Sequence, residues 1–208
     1  QDGNYNDRLT VPLVLFGHAE PGIFNIFAWF RILINNSRQI KGDYPFDIAV
    51  LEIGTDAPGQ MEQFAYLKPD LYVLTAVAEE HMEYFAGLDA VAKEELQPAK
   101  FSNKVLVNIN DTAAQYLVGL PLIGYGLDLE TDYTLVERHE HGLMGQKLII
   151  STATGKQFSV EVSALGKQGA KLVLAAAAVA DQLGIEQEGI IKGLQSIKPV
   201  SGRMQILS

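Results

Sequence analysis

Residues 71–108 read LYVLTAVAEEHMEYFAGLDAVAKEELQPAKFSNKVLVN. Two short apolar runs, Leu71–Thr75 (LYVLT) and Lys104–Asn108 (KVLVN), bracket a segment, Leu88–Leu96 (LDAVAKEEL), whose apolar residues recur at helical spacing. Strand, helix and strand in this order predict a parallel sheet with helices on its faces. Towards the N-terminus, Asp47–Ile53 (DIAVLEI) follows a Pro-containing turn and reads as a further buried strand. After it come a Gly- and Pro-rich turn at Gly54–Gly59 and a helical stretch at Gln60–Leu67, stopped by Pro69-Asp70. Towards the C-terminus, Leu120–Tyr125 reads as a fourth strand. Tyr133–Arg138, Gln146–Ser151 and Gln157–Val162, joined by short turns, then predict an antiparallel meander. An Ala-rich helix over Ala170–Leu183 stops at Gly184, and a last helix covers Gln187–Leu194. The expected fold is an α/β three-layer domain, a mostly parallel sheet flanked by helices with a small antiparallel extension.

With 208 residues, 48% of them hydrophobic, the chain is long enough for one sizeable domain. A net charge of −9 argues against a surface built for nucleic acid or anionic lipid, yet leaves room for a nucleotide whose phosphates are held locally. With no cysteine, disulfides and thiolate metal sites are excluded, and a cytoplasmic setting fits. The longest apolar candidate for a membrane span, Ile23–Ile34, is too short and contains Asn25 and Arg31; it reads as a buried or partner-facing helix. No signal peptide is read. The polar start Gln1–Asp7, without Met, reads as a cut boundary or a tag remnant, not a natural beginning.

Ligands of open α/β sheets bind beyond the carboxyl ends of the strands. Glu52 stands at such an end, ahead of Gly54, and reads either as a ligand for a hard cation such as Mg²⁺ or as a cap on the turn. His81 follows Leu71–Thr75 within Glu79-Glu80-His81-Met82, and reads as a metal ligand or base, or as an exposed loop histidine. Arg203, behind Gly202, suits a phosphate contact or is a surface arginine. Asn4-Tyr5-Asn6 precedes the apolar Val11-Pro12-Leu13 and is by itself a polar turn. His18, His139 and His141 lie in a loop and in the meander, in no metal-ligand spacing pattern, and are assigned no role. The motifs G-x-S-x-G, G-x-G-x-x-G and G-x-x-x-x-G-K-[ST] are absent from the chain.

In order and spacing, GNYNDRLTVPLVL (3–15), LEIGTDAPGQM (51–61), the segment 68–96, VLVNIND (105–111), ALGKQGAKLVLAAAAVADQLGI (164–185) and IIKGLQSIKPVSGRMQ (190–205) resemble the central, ATP-using domain of the Mur ligase family. The resemblance implies an ATP-dependent carboxylate–amine ligase of peptidoglycan precursor synthesis, working through an acyl phosphate. ATP and Mg²⁺ are the implied cofactors. A UDP-MurNAc-peptide is the implied donor and D-Ala-D-Ala the implied acceptor. It makes Glu52 and His81 metal ligands. Asn108, Asp111 and Arg203 become nucleotide contacts, and Asn4 and Asn6 lie near the substrate. Glu95 takes the place where family members carry a carbamylated lysine, while Lys93 points to nearly the opposite helix face. Two family asparagines that meet adenine correspond to Gly169 and Leu172. The family's phosphate loop belongs ahead of Gln1 and a further domain after Ser208, so these 208 residues are expected to be inactive alone. Other readings are a folylpolyglutamate synthase or amidating-subunit type of the same superfamily, and a degenerate binding or scaffold domain.

Overall fold

A computed structural model describes residues 7–42, 44–127 and 130–198. Six strands form one sheet whose spatial order is the chain order: β1 (Leu71–Leu74), β2 (Lys104–Asn108), β3 (Ile123–Leu127), β4 (Tyr133–Glu140), β5 (Gln146–Ser151) and β6 (Gln157–Val162). The first four strands are parallel, and β5 and β6 continue the sheet antiparallel. Among the described residues five α-helices accompany them: α1 (Val11–Leu15), α2 (Ile26–Lys41), α3 (Leu88–Glu95), α4 (Gly166–Gln182) and α5 (Gln187–Gln195).

The alternation of side chains along a strand produces the layers. Tyr72, Leu74, Val105 and Val107 project to one face, where Leu96 and Ala99 from the end of α3 and beyond meet them. Leu106, with Leu71 and Val73, projects to the other face, onto Val173, Leu174 and Ala177 of α4 and Ile190 of α5. Covered on both faces, Val105–Asn108 are all buried. The β5–β6 hairpin is covered on one side alone, so β6 alternates Phe158, Val160 and Val162 inward with Gln157, Ser159 and Glu161 outward. Gly145 closes the β4–β5 turn at φ 112°, and a Cβ there would lie 2.1 Å from the Val162 carbonyl oxygen, so glycine is required.

The sequence placed the meander, α3 and both C-terminal helices close to where they stand; α4 begins four residues sooner than the Ala-rich pattern indicated. Two expectations are corrected. Asp47–Ile53 forms no strand: it has no ladder partner among the described residues, and residues 47–50 are exposed. Leu51 and Ile53 instead pack as irregular chain onto Val11, Met61 and Phe64. The strand expected at Leu120–Tyr125 is β3, which starts at Ile123, after Pro121, a residue with no N–H for a ladder, and runs to Leu127. Gln60–Leu67 is realised as a 3-10 helix, Met61–Leu67, ending at Lys68 in the left-handed region.

Candidate functional site

The carboxyl ends of β1, β2 and β3 are stitched into one polar rim. Asn108, 3% exposed at the end of β2, donates to the Thr75 carbonyl at 2.9 Å and to Asp111 Oδ2 at 2.7 Å, and accepts the Asn110 N–H at 3.0 Å. Asn110 makes a reciprocal pair with Leu127, donating to its carbonyl at 3.1 Å and accepting its N–H at 2.6 Å. The Asp111 carbonyl accepts the Val77 N–H at 2.9 Å, which ties down the loop after β1. Lys171, one turn into α4, puts Nζ 2.7 Å from both oxygens of Asp111. With Asn108 fully engaged inside the fold, Asp111 is a partly open carboxylate of the cluster, a third of its side chain exposed.

The β1 loop carries His81 at φ 50°, an uncommon backbone for a residue with a side chain. Its Nε2 lies 3.3 Å from Asp56 Oδ1, so the turn after Glu52 and the loop after β1 meet. No ion pair joins Glu52 to His81 among the described residues, and Glu52 is exposed on irregular chain, not at a strand end. Beside Asp56 lies a hollow of about 190 Å³, lined also by Arg8, Gly54 and Gln60. Arg8 is presented there by a tight turn in which Asp7 Oδ1 accepts the N–H groups of Leu9 and Thr10 at 2.7 and 2.9 Å. The Thr10 N–H is the main cause holding the Asp7 carboxyl below its usual range.

At the end of α3 two adjacent carboxylates have different tasks. Glu94 is buried and accepts the N–H groups of Gly59 at 2.8 Å and Met61 at 2.7 Å, fixing the end of the Gly/Pro turn. Glu95 has its carboxyl pushed up to about 7, by burial first and then by the charges of Glu80 and Glu94. The charge of Glu80, the neighbour of His81, is felt at Glu95, while Lys93 is exposed.

The structure thus joins His81 to Asp56 and, through Glu94, ties the end of α3 to the turn that carries Asp56. Asn4, Asn6 and Arg203 lie outside the described residues. Gly169 is buried, and a Cβ there would come within 2.8 Å of the Ala164 backbone, so no asparagine fits at that position with this main chain. Leu172 is exposed. Sequence reasoning missed Asp56, Glu94, Asn110 and Lys171. The one available signal was an acidic residue inside the Gly/Pro turn; Lys171 lies 60 residues from its partner and had none.

Among the described residues no three His, Asp or Glu side chains gather in a ready-made metal cage. Mg²⁺ does not need one, since it binds through one or two carboxylates, keeps waters and takes substrate phosphate oxygens. Asp56, exposed at the edge of the hollow and paired with His81, is a donor of that kind, and the exposed Glu52 stands four residues before it; carboxylates and imidazole of this kind fit such a site.

Rim, hollow and layers place the chain in the class of open α/β domains whose ligand cleft lies beyond the carboxyl ends of parallel strands. Residues 38–180 match the Mur ligase middle domain, and the chain belongs to the Mur ligase family. It is 26% identical over 151 residues to the UDP-N-acetylmuramate–L-alanine ligase of Legionella pneumophila (strain Corby), covering 69% of this chain and 32% of that protein. The chain therefore spans about a third of the length of that curated relative. In fold it is similar to MurF from Acinetobacter baumannii, with a TM-score of 0.77 at 19% identity over 99% of this chain and 41% of that one. It is also similar to MurF from Thermotoga maritima in complex with ADP, with a TM-score of 0.64 at 21% identity over 88% and 42%.

Proposed function

We propose that the chain is the ATP-using part of a longer carboxylate–amine ligase of the cytoplasm, which joins a UDP-MurNAc-peptide to D-Ala-D-Ala through an acyl phosphate. The observation that carries this reading is the Gly/Pro turn held from two sides, by His81 on Asp56 and by Glu94, at the end of α3, on Gly59 and Met61. Glu52 and His81, with the Asp56 carboxylate beside His81, would hold the Mg²⁺, and Glu95 would supply a carboxylate where the family resemblance places a modified lysine. The cation would supply neutralisation of charge during phosphoryl transfer. Asp56 orients the His81 ring. Asp111, with Lys171 and Asn108 behind it, stands on the nucleotide side together with Arg203, and Asn4 and Asn6 lie near the donor. Gly169 and Leu172 imply that adenine is met here by packing instead of asparagine amides. A second reading exchanges the substrates for UDP-N-acetylmuramate and L-alanine; the name of the Legionella relative favours it.

The test is phosphate release by the full-length protein with ATP and Mg²⁺, offered each donor with and without its amine. The proposal expects release that requires both UDP-MurNAc-tripeptide and D-Ala-D-Ala, and that falls about a hundredfold or more in Glu52→Ala and in His81→Ala. Release with UDP-N-acetylmuramate and L-alanine alone selects the second reading. No release and no ATP binding identifies a scaffold that has kept only the fold.

A further inference from the structure

α2 is mounted with its apolar side outward. Its inner face is semi-polar: Asn36 meets the His18 ring at 2.8 Å, Gln39 donates to the Phe16 carbonyl at 3.3 Å, and Ile32 is its one buried apolar side chain. The buried Gln39 Oε1 has no partner among the described residues. Facing solvent are Ile26, Phe27 (89% exposed), Phe30 (64%), Leu33 and Ile40, with Phe24 (94%) just ahead of the helix. A row of this kind on a folded domain marks a docking surface.

The charges say what covers it. Among ionisable side chains α2 carries Arg31, Arg38 and Lys41 and no carboxylate, in a chain whose net charge is −9. All three are exposed and flank the apolar row. At the C-terminal end an open hollow of about 490 Å³ is lined by Leu33 and Ile34 together with Arg38 and Lys41, so hydrocarbon and cation stand side by side. That pairing is the chemistry of an anionic phospholipid, an acyl chain beside a phosphate. Docking α2 against α2 of a second copy would oppose cation to cation. The acidic remainder of the chain does not override a local contact, because charges beyond about 8 Å are screened at physiological salt. Sixteen residues make a helix about 24 Å long, and no described helix is long and apolar enough to cross a membrane. A basic helix with an aromatic apolar face lies in the plane of the interface.

We infer that α2 is a membrane-surface helix that lays Phe24, Phe27, Phe30 and Leu33 into an anionic phospholipid bilayer, with Arg31, Arg38 and Lys41 on the headgroups. This qualifies the expectation drawn from net charge: the chain as a whole repels anionic lipid, but α2 does not.

Co-sedimentation of the full-length protein with vesicles tests it. Vesicles of phosphatidylcholine mixed with phosphatidylglycerol should bind at least about tenfold more tightly than phosphatidylcholine alone. Replacing the three cations by glutamine should cost about a hundredfold, near fivefold each. Phe27→Gln/Phe30→Gln should lose about tenfold or more with an unchanged far-ultraviolet circular dichroism spectrum. Should the phenylalanine variant misfold, the cation variant carries the test alone. The inference is overturned by absence of binding to the anionic vesicles, by equal binding to both kinds, or by binding that neither variant weakens. Self-association that Phe27→Gln/Phe30→Gln abolishes, without vesicle binding, assigns the face to a second copy and overturns it as well.

Discussion

α4 and α2 are nearly equal in length and both amphipathic, yet one is a keel and the other a hull turned inside out. α4 buries Ala170, Val173, Leu174, Ala177 and Ala178 against the sheet, and its small side chains let it lie close. α2 buries Ile32 and shows its phenylalanines to solvent. Amphipathicity tells that a helix has two faces; the direction in which the apolar face points is decided by what else the fold supplies to meet it. The sheet meets α4, and no described element meets the outer side of α2.

The contrast can be broken or sharpened by substitution. The largest effect is expected in α4: Leu174 is fully buried, and Leu174→Ala should cost about 3 kcal/mol in chemical denaturation. A loss as small as that of a surface residue would remove α4 from the core. α3 lies between the two extremes, because its inward side ends in a carboxylate. Glu95 titrates at about 7 in the fold against an ordinary 4.5, so the folded chain binds this proton more tightly than the unfolded one. The charged form is therefore disfavoured by folding: stability is intact below about pH 4.5 and declines as pH rises through 7. Glu95→Gln should raise the melting temperature by about 2 °C at pH 8 and leave it unchanged at pH 4. An equal gain at both pH values would mean that the carboxyl's charge is not the cause. The smallest effect is expected in α2, where Phe27→Gln/Phe30→Gln should alter stability by no more than about 0.5 kcal/mol. A large loss there would show the outer face to be packed after all.

How much of this was legible beforehand depended on what each residue needed from afar. KVLVN and the alternating QFSVEV announced β2 and β6, because burial on two faces or on one writes itself into local order. DIAVLEI carries the same kind of run and is not a strand, since a ladder takes a second strand and a run cannot show whether one is alongside. Glu52 accordingly moved off a strand end. His81 was found because it follows a strand that did form, but its tie to Asp56 joins two loops 25 positions apart, and their meeting is a property of the packed domain. Glu95 was placed by helical spacing; its raised titration comes from burial and from Glu80, neither of which the local pattern contains. The Lys171–Asp111 pair is the extreme case, a contact between a helix and a strand end with nothing near either residue to announce it.

The sheet's spatial order also has a kinetic meaning. Each strand from β2 to β6 lies beside the strand that precedes it in the chain, and β3 and β4, though parallel, are joined by the short stretch 128–132. During ribosomal synthesis every strand after β1 leaves the exit tunnel with its hydrogen-bonding neighbour already made, so the sheet can grow by accretion in one direction. From β3 onwards the loop closures along the sheet are short, and short closures are the entropically inexpensive ones. α4, which covers β2 to β5, emerges after the sheet it seals is complete.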